Sequence, residues 1–359
     1  MAFIIMDVEK LKSNFEYLDQ LFSKHEIEWS VVSKMLCGNR LYLNELLKFN
    51  VNQVSDSRLS NLKVIKEINP KVETIYIKPP AKRSIRSIVQ YADISMNTEI
   101  ETIKLLNEEA SKLNRIHKII IMIELGELRE GIMRDDLIEF YSKVFNLSNI
   151  EVIGIGTNLS CLNGVLPNHD KLIQLSLYSQ LIEAKFNQKM QYVSGGSSVT
   201  IPLISKKLLP FGINHFRVGE SLFLGTDVYN DSTLENMNSD VFTLYVEIIE
   251  LIEKPTLPDG IRGTNLEGDS TFLNENVFGE TSFRALVDIG ILDVDEKHIS
   301  LVEKNCAIVG GSSDMFVIDL FENKQNYKVG DLLECKIDYV GTLRILNSEY
   351  IEKTVVNAN

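Results

Sequence analysis

The chain has 359 residues, 44% of them hydrophobic and 24% charged, enough to bury a large core and to form two domains, which excludes a disordered protein. Its 50 acidic against 37 basic side chains leave a formal net charge of −13, a field that repels nucleic acid and anionic membranes, so neither is expected as a partner. Residues Met1–Asp7 carry no basic n-region or small-residue cleavage site, and no apolar run reaches the ~18 residues of a membrane span, so a cytoplasmic protein is expected.

In chain order, Asp7 is placed to cap a helix whose apolar positions Val8, Leu11, Phe15, Leu18 and Phe22 step by three and four. The stretch Glu28-Trp29-Ser30-Val31-Val32-Ser33-Lys34 then reads as a buried strand, stopped by Gly38-Asn39, with Lys34 at its exposed end. A lysine there is ordinarily a solvated cap or half of an ion pair. Against a partly apolar barrel mouth, its pKa instead falls below the usual ~10.4, and the neutral amine forms a Schiff base with an aldehyde such as pyridoxal phosphate. This stretch alone leaves both readings open.

Further short strands are predicted at Asn52–Asp56, Glu73–Lys78, Ala92–Met96, His117–Glu124, Glu151–Gly156, Gln191–Ser194 and Asn214–Arg217, separated by helical patterns such as Glu99–Asn114 and Asp170–Phe186. Eight strands alternating with helices predict an α/β fold, a (β/α)8 barrel of the TIM type. A doubly wound open sheet competes, but Gly154-x-Gly156 lacks the third glycine of a dinucleotide fingerprint and has Asn158-Leu159 in its place. Polar residues between Tyr229 and Asp240 read as a linker, giving a barrel over 1–235 and a second domain over 236–359. Short β-rich runs at Val241–Ile249, Ser282–Ile289, Cys306–Val309, Met315–Leu320 and Leu332–Tyr339 predict that this smaller domain is all-β. The four cysteines form no Cys-x-x-Cys pair and the five histidines no His-x-x-x-His pair, so no metal is called for.

In such a barrel the chemistry belongs at the carboxyl ends of the strands. The residues expected there are Lys34, Lys78, Arg129, Asn158, the Ser194-Gly195-Gly196-Ser197-Ser198 loop and Arg217-Val218-Gly219-Glu220-Ser221. The two small-residue loops are ordinary turns taken singly. Facing an amine on the first barrel strand, they suit the phosphate of a tethered aldehyde cofactor.

In their order and spacing, Val31-Val32-Ser33-Lys34, Glu124-Leu125-Gly126-Glu127-Leu128-Arg129-Glu130-Gly131, Gly154-Ile155-Gly156-Thr157-Asn158-Leu159, Ser194-Gly195-Gly196-Ser197-Ser198, Asn214-His215-Phe216-Arg217-Val218-Gly219-Glu220 and Gly310-Gly311-Ser312-Ser313-Asp314 resemble the alanine racemase family of pyridoxal-phosphate enzymes, and within it the ornithine-racemase-like branch. The resemblance implies a barrel and a β-domain paired as a head-to-tail homodimer, each β-domain completing the partner's site. It makes Lys34 the lysine that holds pyridoxal phosphate as an aldimine and serves as one of two bases. Arg217 becomes the partner of the pyridine nitrogen, and Ser197, Gly219 and Tyr339 phosphate-binding residues. Asn158 and Glu220 join the cofactor-binding set, and Arg129 falls near the substrate. Without the resemblance, Arg129 reads as an ion pair with Glu127 or Glu130, and Tyr339 as a half-buried strand aromatic.

Two departures stand out. Asn158 occupies the place of a histidine that stacks on the cofactor ring, and Ile289-Gly290 is followed by Ile291, where the family has a catalytic tyrosine. An isoleucine cannot move a proton, so the candidates for a second base become Asp293, Asp314 and Ser313, which serve equally well as turn residues. An acidic group there suits a cationic substrate side chain, which points to ornithine or lysine. A decarboxylase or aldolase on the same barrel, or a cofactor-binding protein without turnover, is the alternative.

Overall fold

The chain enters on strand β1 (Phe3–Asp7) and passes directly into helix α1 (Val8–Lys24), which buries Val8, Leu11, Phe15, Leu18 and Phe22. Asp7, expected to cap the helix, is the last residue of that strand and directly precedes the helix. In the computed structural model, which describes residues 1–261, 263 and 279–357, β1 does not belong with the helix that follows it. The chain divides into two units, one Val8–Ser239 and the other Met1–Asp7 with Asp240–Asn359. The expected boundary after residue 235 thus lies four residues early, and the first seven residues fall in the other unit.

The first unit is a closed parallel barrel. Its strands are β2 (Glu28–Val32), β3 (Gln53–Asp56), β4 (Glu73–Tyr76), β5 (Ile94–Asn97), β6 (His117–Met122), β7 (Ile150–Gly156), β8 (Tyr192–Ser197) and β9 (His215–Val218). They pair in chain order, and β9 returns to β2 with His215 opposite Glu28 and Val218 opposite Val31, which settles the choice against an open sheet. Between the strands run α2 (Arg40–Leu46), α3 (Leu59–Ile68), α4 (Ile85–Tyr91), α5 (Ile100–Lys112), α6 (Leu137–Val144), α7 (His169–Phe186) and α8 (Ile201–Ser205), with α9 (Glu220–Leu224) after β9.

The barrel core is apolar on one side, where Ile75, Ile94, Met96, Ile120, Met122 and Tyr192 pack together, each large apolar side chain contributing ~1.5–3 kcal/mol. The Gly154-x-Gly156 pair is explained by this packing. A Cβ at Gly154 would lie 2.7 Å from the Tyr192 carbonyl oxygen, and one at Gly156 2.9 Å from the Met122 sulfur. The opposite side is polar, built from Ser30, Gln53, Ser194, His215 and Arg217, all at most 5% exposed. Gln53 on β3 bonds His215 on β9 and Tyr192 on β8, strands that do not adjoin β3, so these contacts cross the barrel interior.

After β9 come a short hairpin of β10 (Thr226–Asp227) and β11 (Ser232–Thr233) and then the second unit. Among the described residues this is a sheet of β12 (Phe242–Pro255), β13 (Thr281–Val287), β14 (Ile299–Leu301), β15 (Ala307–Gly311), β16 (Phe316–Asp319), β17 (Leu332–Ile337) and β18 (Glu352–Val356), joined by β1. Its pairs are antiparallel except for β1 beside β18. Strand β12 is bulged between Ile248 and Glu250, so one half pairs with β1 and β17 and the other with β13. Such a bulge bends a long strand so that it serves two parts of one sheet. The sheet domain also carries a helix, α10 (Tyr339–Asn347), which the strand pattern did not predict.

Candidate active site

Lys34 follows β2 not as the strand's last residue but inside a 3-10 turn, Ser33–Leu36, with an exposed side chain. The turn is pinned from the next strand: the Ser33 hydroxyl donates to Asp56 Oδ2 at 2.8 Å, and Asp56 also accepts from Arg58 N at 2.8 Å and Asn61 Nδ2 at 3.2 Å. Burial pushes the Asp56 pKa up, and these hydrogen bonds only partly oppose it.

Arg217 lies on β9, next to β2 in the barrel wall. Its guanidinium is 5% exposed and almost fully engaged. Nη1 donates to the Ser194 carbonyl at 3.0 Å and to the Ser194 hydroxyl, and Nη2 donates to the Thr157 carbonyl at 2.7 Å and to Asn158 Oδ1 at 2.6 Å. Both Nη groups therefore spend both of their hydrogens, and of the guanidinium's N–H donors the Nε–H is left among the described bonds. Burial lowers the Arg217 pKa to about 10, with Glu130 opposing, so it stays a cation at neutral pH. A bulge between Ser194 and Gly196 in the β8–β9 pairing accompanies this arrangement, a common device for re-aiming a side chain beside a site.

Asn158, predicted where the family has a stacking ring, is a link instead. Its carbonyl accepts from Arg217 while its amide donates to Glu130. Arg129 Nη2 donates to Glu130 Oε1 at 2.5 Å and its Nε to Oε2, which realises one of the two ion pairs considered from sequence. Arg217, Asn158, Glu130 and Arg129 thus form one continuous network. Sequence reasoning placed three of the four and missed the role of Glu130, because nothing local marks it.

Glu127 was also missed as a site residue. It is 1% exposed, and its carboxylate accepts backbone N–H groups from Ser160 at 3.2 Å, Cys161 at 2.7 Å, Asn163 at 2.8 Å, Val165 at 3.0 Å and Leu162. Burial alone would raise its pKa. The N–H bonds of Leu162, Asn163, Cys161 and Val165 overcome that and hold it down to about 2. The carboxylate therefore fastens the loop after β7, which carries Asn158, to the loop after β6, which carries Arg129. Gly131 closes the latter loop at φ +148, where a Cβ would lie 2.3 Å from Glu124 N.

The two small-residue loops meet: Ser221 N donates to the Ser198 hydroxyl at 3.2 Å. Ser197 caps the turn leading into α8, with its own N–H on Thr200 Oγ1 at 3.2 Å, and Gly219 stands just before α9. Gly219 must be glycine, since a Cβ would lie 2.8 Å from the Val32 carbonyl oxygen. Glu220 Oε1 accepts from Thr226 Oγ1 at 3.3 Å, and Lys78 is exposed beyond β4.

In the second unit Tyr339 is not on a strand but opens α10, where Asp338 caps by accepting from Gly341 N at 2.8 Å. Ile291 N and Leu292 N donate to the Ser312 and Ser313 carbonyls at 3.1 and 2.8 Å, so the turn carrying Asp293 lies against the one carrying Ser313 and Asp314. Asp293 Oδ1 accepts the Ser348 hydroxyl at 2.6 Å, which ties it to the end of α10. Ser313 and Asp314 are exposed, and Asp314 accepts the Ser312 hydroxyl at 3.1 Å.

A lysine past the first barrel strand, an arginine on the last and paired small-residue loops place the chain in a known class: it belongs to the alanine racemase family, whose "Alanine racemase, N-terminal domain" profile matches residues 6–227. Within that family it is similar to the ornithine racemase of Acetoanaerobium sticklandii, 37% identical over 98% of this chain and 99% of that one. It is also similar to the lysine racemase of Thermotoga maritima, 26% identical over 98% and 97%. Among solved structures, the alanine racemase of Clostridium difficile shares the fold with a TM-score of 0.77 at 14% identity, over 100% of this chain and 96% of that one. The alanine racemase of Bartonella henselae with covalently bound pyridoxal phosphate does so with a TM-score of 0.75 at 17% identity, over 99% of each chain.

Proposed function

We propose that the chain is a pyridoxal-phosphate-dependent racemase of a basic amino acid, ornithine or lysine, working in the cytoplasm as a head-to-tail homodimer. The observation that carries this reading is Arg217: a buried cation with its Nη hydrogens committed to Ser194, Thr157 and Asn158, on the strand beside the one leading to Lys34.

The residues present fit the cofactor. Lys34 supplies the primary amine, Arg217 Nε–H a donor for the ring nitrogen, and the loops at Ser197 and Gly219, with Glu220 beside them, the phosphate end. Gly219 is a close approach that no side chain tolerates. Tyr339 of the second unit is assigned to the phosphate, and Asn158 to holding Arg217 in place.

When bound, the cofactor withdraws electrons from the substrate and makes its Cα proton acidic. Arg217 keeps its own proton, so it donates a hydrogen bond without protonating the ring, and this favours proton exchange over decarboxylation. Lys34 takes or returns the Cα proton on one face. The other face needs a second group from the partner's second unit. Of the three candidates, Asp293 is held by Ser348, whereas Ser313 and Asp314 are exposed. Arg129, braced by Glu130, is assigned to the substrate. The named substrates of the two curated relatives and an acidic group at Asp314 support a cationic side chain.

The test is proton NMR in deuterium oxide with L- and D-ornithine and L- and D-lysine. The Cα signal of ornithine or lysine should wash out with inversion, and Lys34→Ala should abolish both this exchange and the imine absorbance. Retention of all four Cα signals by the cofactor-loaded protein would overturn the proposal.

A further inference from the structure

Arg217 also connects away from the barrel mouth, through side chains whose hydrogen bonds run in one direction. A guanidinium only donates, so the Ser194 hydroxyl, which takes a hydrogen from Nη1, must accept there. Its single hydrogen then goes to His215 Nδ1 at 2.6 Å. An imidazole that accepts at Nδ1 carries its proton on Nε2, and Nε2 meets Gln53 Oε1 at 2.8 Å. With its carbonyl so occupied, Gln53 donates from Nε2 to Glu73 Oε2 at 2.6 Å and toward the Tyr192 hydroxyl at 3.5 Å. The Tyr192 hydroxyl in turn donates to Glu28 Oε2 at 3.2 Å.

Each bond fixes the sense of the next, from the cation at one end to two carboxylates at the other. Ser194 and His215 are fully buried, which keeps water from the middle of the path, and Gln53, 5% exposed, stands where the path meets solvent. The far end reaches a cavity of about 210 Å³ lined by Glu28, Gln53, Glu73, Tyr192 and Trp29 at the amino-terminal end of the barrel.

We propose that Gln53 and His215 are positioning residues for Arg217. They transmit the pull of Glu73 and Glu28 through the barrel, hold the Ser194 hydroxyl as an acceptor, and so keep both Nη groups on the protein and Nε–H facing the mouth. If the imidazole hydrogen sat on Nδ1, Ser194 would have to accept twice, its own hydrogen would lose its partner, and one Nη hydrogen of Arg217 would be loosened. Burial supports the neutral form by lowering the His215 pKa to about 3. The effect on catalysis rests on the cofactor reading above; the direction of the hydrogen bonds does not.

The experiment has two arms. In the full-length, cofactor-free protein, nitrogen NMR should show His215 as the neutral Nε2–H tautomer, unchanged down to about pH 5. In the loaded enzyme, Gln53→Leu, which cuts the path, should lower kcat about tenfold with little change in KM, the size expected for losing one hydrogen bond to a charged group. His215→Gln keeps an acceptor toward Ser194 and a donor toward Gln53, and should stay within about threefold of wild type, unlike His215→Phe. An Nδ1–H tautomer in the wild-type protein overturns the proposal, as does wild-type kcat in both Gln53→Leu and His215→Phe. The tautomer reading is independent of what binds at the mouth, and it decides alone should the variants not fold.

Discussion

Glu127→Gln tests how the mouth loops are held. The carboxylate sits among five backbone N–H groups with its pKa held down to about 2 against an ordinary value of 4.5. The shift corresponds to a stabilisation of at most about 3 kcal/mol. Since the folded pKa is depressed, this contribution is fully present above about pH 4.5 and is lost as the pH falls through about 2. A glutamine keeps one acceptor for Cys161, Leu162 and Asn163 but turns an NH2 toward Ser160 N and Val165 N, setting donors against donors. At neutral pH, hydrogen exchange of amides 160–165 should therefore accelerate about a hundredfold in the variant, while barrel-strand amides are unaffected. Unchanged exchange at Ser160 and Val165, the two amides that lose their acceptor, would refute the reasoning.

Gly131→Ala forces a Cβ to within 2.3 Å of Glu124 N at a φ of +148, and should cost about 3 kcal/mol, read as a lower melting temperature and faster proteolysis after Arg129. Asp56→Asn should change stability by less than about 1 kcal/mol at neutral pH, because burial already disfavours the charge and the amide retains an acceptor for Arg58 N. Asp56→Ala, which strands Ser33, Arg58 and Asn61, should cost about 3 kcal/mol in thermal melting and loosen the turn carrying Lys34.

The barrel strands were legible because strands covered on both faces are short runs of Val, Ile and small residues between helical patterns. Strand β1 was not: Phe3-Ile4-Ile5-Met6 becomes a strand through Phe242–Tyr245 and Glu352–Val355, partners far away in the chain. Lys34 could be picked out because a charged residue after an apolar run is conspicuous, whereas Arg217, inside His215-Phe216-Arg217-Val218, was marked by the family resemblance. The partners of Asn158 were not legible, because a side chain that both accepts and donates is defined by its neighbours, and Glu130 lies on another loop. Glu127 was invisible for the same reason, its partners beginning at Ser160. Tyr339 carried a signal that went unused: Asp338 three residues before Gly341 is a helix start, and Thr342, Ile345 and Leu346 follow on one buried face.

Strand β1 is translated long before its parallel neighbour Glu352–Val356. The barrel can condense as soon as residue 239 has emerged, since everything it needs lies between Val8 and Ser239. Residues Phe3–Asp7, by contrast, have no partner strand until Phe242–Tyr245 is made and stay uncovered on the other edge until Glu352–Val356 follows, exposed meanwhile to wrong pairings that chaperones exist to prevent.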